Sequence, residues 1–285
     1  MDPGETVELQ FDVENTGTAT SDPTTIRLLD TTNDEPTTVD DIELAPIPPE
    51  TTAETTYTWD IDGFELGTER EVRVVVDPDG ELSQRREPES TTVQLYHPIP
   101  EGYESFASTD AVFGTWDDEF VISANGGEVW SATDEYGALY RPDEPTEGDV
   151  IATVRVTSQE DTSDWANAGL LIRNDVAKPG ESTGYAHISA TPTHGFMFEW
   201  DNNGDGYVND RETDGEPTYP CWLRLEKEGQ TVTGSYSTDG ETWTEVGSAE
   251  VVDAAESQDV AMFVTSANIA ELSTATFDEF EHTPL

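Results

Sequence analysis

The run Asp201-Asn202-Asn203-Gly204-Asp205-Gly206-Tyr207-Val208-Asn209-Asp210-Arg211-Glu212 is the sharpest chemical signal in the chain. Its offsets match a twelve-residue calcium loop. Asp201, Asn203 and Asp205 stand at the first, third and fifth positions, and Gly206 where such a loop turns sharply. Tyr207 would offer its backbone carbonyl, Asn209 would act directly or through water, and Glu212 would close the site with both oxygens. Calcium takes about six to eight oxygens, so the spacing predicts a structural Ca2+ site at Asp201, Asn203, Asp205, Tyr207, Asn209 and Glu212. Its flanks are not helical. Phe196, Phe198 and Trp200 alternate with Met197 and Glu199, and Thr213-Asp214-Gly215-Glu216-Pro217 cannot extend a helix. The loop is therefore expected inside a long β-hairpin. The competing reading is an Asp/Asn/Gly turn, empty or holding Na+ or K+, in a chain with 62 acidic residues.

Other residue types suggest binding more than catalysis. Apolar rings suit the faces of pyranoses, so Trp130, Trp165, Trp200, Trp222 and Trp243 are candidates for a sugar-stacking platform. Core packing is the alternative for each of them. Tyr136, Tyr140 and Tyr207 are candidates for its rim. Arg173 follows the apolar run Leu170-Leu171-Ile172, where it would either recognise a ligand or pair with Asp134 inside the domain. Trp130, Tyr136, Arg173 and Trp200 are thus the candidate ligand-binding set. His187 and His194 flank Thr191-Pro192-Thr193 without a zinc-type pattern. No nucleophile elbow, phosphate loop or dinucleotide fingerprint is present. No catalytic residue is assigned, and the protein is not expected to be an enzyme.

Composition bounds the partners. The 285 residues carry 62 acidic and 12 basic side chains, a formal charge of -50. Lys178 and Lys227 are the only lysines. Such a charge disfavours nucleic acid and anionic lipid. It is tolerable where salt screens it, since the Debye length falls to about 3 Å at 1 M. A haloarchaeal source, or one of its viruses, would account for it. Disorder is the other meaning of an acidic chain. Seven tryptophans, a hydrophobic fraction of 34% and recurrent alternation argue for a fold. No apolar run is long enough to span a bilayer. The start Met1-Asp2-Pro3-Gly4-Glu5 has no leader pattern. Cys221 is the single cysteine, so no intrachain disulfide forms, and a buried structural thiol is expected.

The elements that must position these residues are strands. Val7, Leu9, Phe11 and Val13 alternate with Glu8, Gln10 and Asp12, which buries one face. Similar short stretches include Ile26 and Leu28, then Tyr57, Trp59 and Ile61, then Val72, Val74 and Val76. Asp77-Pro78-Asp79-Gly80 is a turn. Ala45-Pro46-Ile47-Pro48-Pro49 is a stiff connection. The prolines of Tyr96-His97-Pro98-Ile99-Pro100-Glu101-Gly102 mark a linker. Beyond it come Val150 to Val156, Phe196 to Trp200, Val232 to Tyr236 and Val260 to Val264. Ser237-Thr238-Asp239-Gly240 suggests a tight hairpin returning through Trp243. Two domains are expected, over 1–97 and 103–285.

The first part resembles the cell-adhesion-related CARDB family, an immunoglobulin-like sandwich. The resemblance is carried by Gly4-Glu5-Thr6-Val7, by Phe11, Val13 and Asn15-Thr16-Gly17, by Trp59, and by Val74 to Gly80. It departs at Glu87-Pro88-Glu89, where that family often has asparagines. The second part resembles the concanavalin A-like lectin/glucanase superfamily in its non-catalytic, LamG-like branch. Val129 to Asp134 with Tyr136, Trp165 to Arg173, Trp222 to Leu225, Tyr236 to Gly240 with Trp243, and Thr276-Phe277-Asp278 carry it. Glucanases of that superfamily bear a strand-borne Glu-x-Asp-x-x-Glu pattern. Here Glu199 and Asp201 lack the third carboxylate. The two resemblances imply an all-β chain, an immunoglobulin-like β-sandwich followed by a concanavalin A-like jelly-roll sandwich. They imply a non-catalytic adhesion protein, extracellular or on the cell surface, whose partner is a glycan or a surface protein. A structural component of a virion or cell envelope, contacting neighbouring subunits, is the alternative. A glycoside hydrolase or lyase is the third.

Overall fold

Alternating sequences with one apolar face must pair and stack, and the computed structural model shows how. It describes residues 6–33, 35–80, 89–142 and 146–285. Gly4, Glu5, Glu87 and Pro88 of the CARDB resemblance lie outside these, as does the start Met1 to Glu5. The described residues contain strands and no helix, so no helix is long and apolar enough to cross a membrane. The chain divides into two compact units, Met1–Pro98 and Ile99–Leu285.

The first unit is an immunoglobulin-like sandwich. Strands β1 (Thr6–Asn15) and β4 (Thr51–Asp60) form one antiparallel pair. Strands β2 (Thr24–Asp30), β3 (Thr37–Leu44), β5 (Thr68–Val76) and β6 (Glu89–Leu95) form a sheet in the order β3-β2-β5-β6. Leu9, Phe11 and Val13 of β1 pack on Ile26, Leu28, Leu44 and Ile47. Trp59, Ile61, Val72 and Leu95 make a second cluster. At the end of β1 the Asn15 side chain accepts from the Gly17 N–H and donates to the carbonyls of Ala19 and Ile47. Asp77 and Gly80 take positive φ, and Gly80 N–H bonds Asp77 O.

The second unit is a jelly-roll type sandwich. Its strands run β7 (Glu104–Ala107), β8 (Ala111–Trp116), β9 (Glu119–Ala124), β10 (Val129–Trp130), β11 (Thr133–Asp134), β12 (Gly137–Tyr140), β13 (Thr146–Glu147), β14 (Val150–Gln159) and β15 (Asn167–Arg173). They continue with β16 (Ala186–Thr191), β17 (Gly195–Trp200), β18 (Asp210–Asp214), β19 (Cys221–Glu228), β20 (Thr231–Ser237), β21 (Thr244–Glu250), β22 (Ser257–Thr265) and β23 (Ser273–Pro284). The larger sheet runs β18-β17-β16-β15-β22-β12-β7, with β13 also on β22. The smaller runs β21-β20-β19-β14-β23-β9-β8. Between them lies one core, in which Leu170, Ile172, Ile188, Phe196, Phe198 and Val264 meet Val154, Val156, Leu223, Leu225 and Phe277. Cys221 is buried in it, and burial pushes its thiol up to about 12. Period two sends the alternate residues of the larger sheet to its outer face. There Leu171, Ala261, Phe263, Ala138 and Tyr140 form a second apolar layer with Tyr136, Tyr185 and Val208. The tight hairpin expected at Asp239-Gly240 is instead a longer connection over 238–243. The Asp239 carboxylate accepts the N–H groups of Glu241 and Thr242 and so builds the loop outward.

Candidate functional site

The outer face of the larger sheet gathers the polar chemistry of the second unit. Strands β16 and β17 pair His187 with Glu199, and β17 and β18 pair Glu199 with Arg211. All three side chains therefore share the outer face. His187 Nε2 lies 3.0 Å from Glu199 Oε2, both side chains buried. Arg211 Nε lies 3.4 Å from Glu199 Oε1 and keeps 27% of its side chain exposed. The His187–Glu199 contact is an ion-pair distance without hydrogen-bond alignment, and neither ring nitrogen has a hydrogen-bond partner among the described residues.

Two indoles frame Arg211. Its guanidinium carbon stands 3.7 Å from the ring centre of Trp130 and 5.0 Å from that of Trp165. Trp165 is 43% exposed and stacks on His194, with ring centres 3.5 Å apart. The floor holds this loop in place. Ser189 Oγ donates to Asn167 Oδ1, and Asn167 Nδ2 donates to the Trp165 carbonyl, at 2.7 and 2.9 Å. Trp130 ends β10, and Ser131 N–H bonds the Val208 carbonyl at 2.8 Å. The short ribbon β10–β11 thus ties the platform to the loop after β17.

Below the platform the expected Arg173–Asp134 pair forms at 2.6 Å, inside the domain. Arg173 also donates to Tyr136 Oη, to the Ser182 carbonyl and to the Gly206 carbonyl. Its guanidinium lies 4.3 Å over the Tyr185 ring. Burial pushes the Asp134 carboxyl up, against the pull of Arg173 and the Gly180 N–H. This corrects part of the ligand-binding set. Arg173 and Tyr136 have no accessible surface, and Trp200 packs in the core against Phe198. Trp200 shares the core-facing parity of Phe196 and Phe198, while Arg173 and Tyr136 lie on the outer side of the larger sheet but are covered, so none of the three touches a ligand at the surface. Tyr140 is buried too, and Tyr207 lies against Gly180. Of the four, only Trp130 reaches the platform.

The loop 201–209 joins β17 to β18, as the hairpin expectation required. Asp201 Oδ1 accepts the N–H groups of Asn203 and Gly204, and Oδ2 that of Gly206. Asp205 accepts from Tyr207 N–H and Asn203 Nδ2, and Asn209 Oδ1 from Asn202 N–H. Gly206 sits at φ +86, a conformation that favours glycine. The ligand set does not close as spacing suggested. Glu212 is already within β18 opposite Phe198, exposed and beside Gly247. A strand follows the loop where a calcium hand has a helix, so the last carboxylate does not turn back. Among the described residues no three acidic, histidine or cysteine side chains are placed to hold a metal ion.

Sequence reasoning missed Arg211, taken only as an unassigned loop position, and the stacking role of His194. The alternation of β18 could have placed Arg211 outward, but nothing local announces which tryptophans approach it.

The family described as CARDB matches residues 1–92. No curated protein matches the chain. Among solved structures, a functionally unknown protein from Saccharomyces cerevisiae is similar with a TM-score of 0.50 and 18% identity. The match covers 65% of this chain and 97% of that one. A GH43 protein from Bacillus licheniformis aligns at 0.44 and 15% identity, over 82% of this chain and 47% of its own. The VIP36 exoplasmic domain, bound to Ca2+ and Man3GlcNAc, aligns at 0.38 and 11%, over 64% and 86%. At such identities the yeast protein speaks to fold alone, and the other two carry no argument.

Proposed function

We propose that the protein is a non-catalytic binding protein of the cell exterior. A spacer over residues 1–97 presents a domain over 103–285 that takes a glycan at Trp130, Arg211 and Trp165. The observation that carries this is the exposed Trp165 indole beside Arg211 and Trp130, above a hydrogen-bonded polar floor. Aromatic faces with a few fixed polar groups are what a sugar ring requires. The CARDB match to residues 1–92 supports an adhesion-related setting for the spacer. Hydrolysis of a glycoside needs two carboxylates across the bond. Glu199 stands against His187 and Arg211, and Asp201 is occupied by three backbone N–H groups. That supports binding over catalysis. Calcium is no part of this reading, because Glu212 stands in β18 and does not close the loop 201–209. The charge of -50 suits a salty exterior, where screening shortens its reach.

The test is a glycan screen followed by calorimetry at 1 M NaCl. Trp165→Ala should weaken the bound glycan by about tenfold or more, as for a well-packed aromatic anchor. A screen without binders, or a variant that binds as well as the parent chain, would overturn the proposal.

A further inference from the structure

The guanidinium of Arg211 has two faces and two donor edges. Trp130 and Trp165 lie against it, and its Nε faces Glu199. Stacking on a ring uses the face of a guanidinium and leaves its in-plane donors free. Neither terminal amine of Arg211 makes a hydrogen bond among the described residues, and Glu199 approaches its Nε at 3.4 Å. Its side chain is nevertheless partly open to solvent. The contrast within the molecule is instructive. Half-buried Arg27 donates to both oxygens of Asp41, at 2.7 and 2.8 Å. Arg155 donates to Asp278 at 2.8 Å, and buried Arg173 fills every nitrogen. Among the described residues no carboxylate accepts a hydrogen bond from the open edge of Arg211, in a chain with 62 acidic side chains.

We infer that this edge is the anion-recognising element of the platform, and that the glycan it selects is acidic, bearing a carboxylate or a sulfate. The inference rests on the glycan reading above. A sugar ring against the exposed part of Trp165 would bring its anionic substituent to the in-plane edge of the guanidinium, where two parallel N–H···O bonds form. Glu199 contacts Arg211 Nε from the buried side, 3.0 Å from His187 Nε2. Arg211 is then the specificity-determining residue, while the indoles supply the stacking common to charged and neutral sugars. The long-range field of the chain opposes any anion. Salt near 1 M confines that field to about 3 Å and leaves the direct contact.

The experiment uses the full chain at 1 M NaCl. Calorimetry compares oligogalacturonate, its methyl ester and a sulfated galactan oligomer of similar length. A charge-assisted bidentate contact contributes about tenfold to hundredfold in affinity. Either the uronate or the sulfated oligomer should therefore bind at least about tenfold tighter than the ester, and the one that does names the anion. Arg211→Gln should abolish that preference, so that anion and ester bind alike, whatever the change in overall affinity. Arg211→Lys should retain part of it and serves if the Gln variant fails to fold. Trp165→Ala should weaken charged and neutral ligands alike. Equal binding of ester and anions, or a preference that survives Arg211→Gln, overturns this inference and leaves the glycan-binding reading standing. Binding of no oligosaccharide in the wider screen overturns both.

Discussion

Replacing Arg173 tests whether the polar centre under the platform is structural. Arg173→Met removes the partner of Asp134 and the donors to the Ser182 and Gly206 carbonyls. Among the described residues the Asp134 carboxylate would keep only the neutral Gly180 N–H as a donor, in a site without accessible surface at Arg173. Removing one member of a buried pair costs about 3–5 kcal/mol. Each orphaned carbonyl adds about 1–3 kcal/mol, in part recovered by relaxation. Summing the low ends gives about 5 kcal/mol, against a total domain stability of about 5–15 kcal/mol. For a unit of this size that corresponds to a fall in Tm of about 10–20 °C. Differential scanning calorimetry of the whole chain reads the shift. Hydrogen exchange in β15 to β17 identifies the transition as that of the second unit. The amides of Gly204 and Gly206 should lose protection as the loop is released, because Arg173 anchors it through Gly206. The double variant Asp134→Leu, Arg173→Met should recover a large part of the loss, since it removes the stranded charge. A Tm change under about 3 °C in the single variant, or a double variant whose losses simply add, would refute the structural role.

Two further outcomes are expected. Thr242 and Glu241 N–H groups, with Ser237 Oγ, hold the Asp239 carboxyl down to about 2. An unfolded Asp titrates near about 3.9, so this contribution is complete above that value and is lost as pH falls toward 2. Asp239→Asn should lower Tm at pH 7, and the gap to the parent chain should close between about pH 4 and 2; a gap that stays constant would sink the assignment. Adding Ca2+ or a chelator at fixed salt should leave the Tm of the second unit unchanged, because Glu212 stands in β18 and does not close the loop. A rise with Ca2+ would show that the loop rearranges to bind it.

Alternation alone determined the strands of this protein. Residues such as Val150 to Val156 and Phe196 to Trp200 announce their period because a half-buried sheet demands it. The Asp201 to Asn209 loop was equally legible, since Asp, Asn and Gly at those offsets satisfy their own backbone. The pairing of Arg173 with Asp134 could be anticipated, because a charge in an apolar strand must find a partner. What only the tertiary structure decided is which aromatic residues remain accessible. Trp130, Trp165 and Trp200 look alike in sequence, yet Trp200 faces the core while Trp165 and Trp130 meet Arg211 across three separate elements. Spacing carried the calcium loop as far as Asn209. Its closure depended on whether a helix or a strand followed, and the strand took Glu212 away. Local chemistry is written along the chain, whereas accessibility and convergence depend on strand order and register.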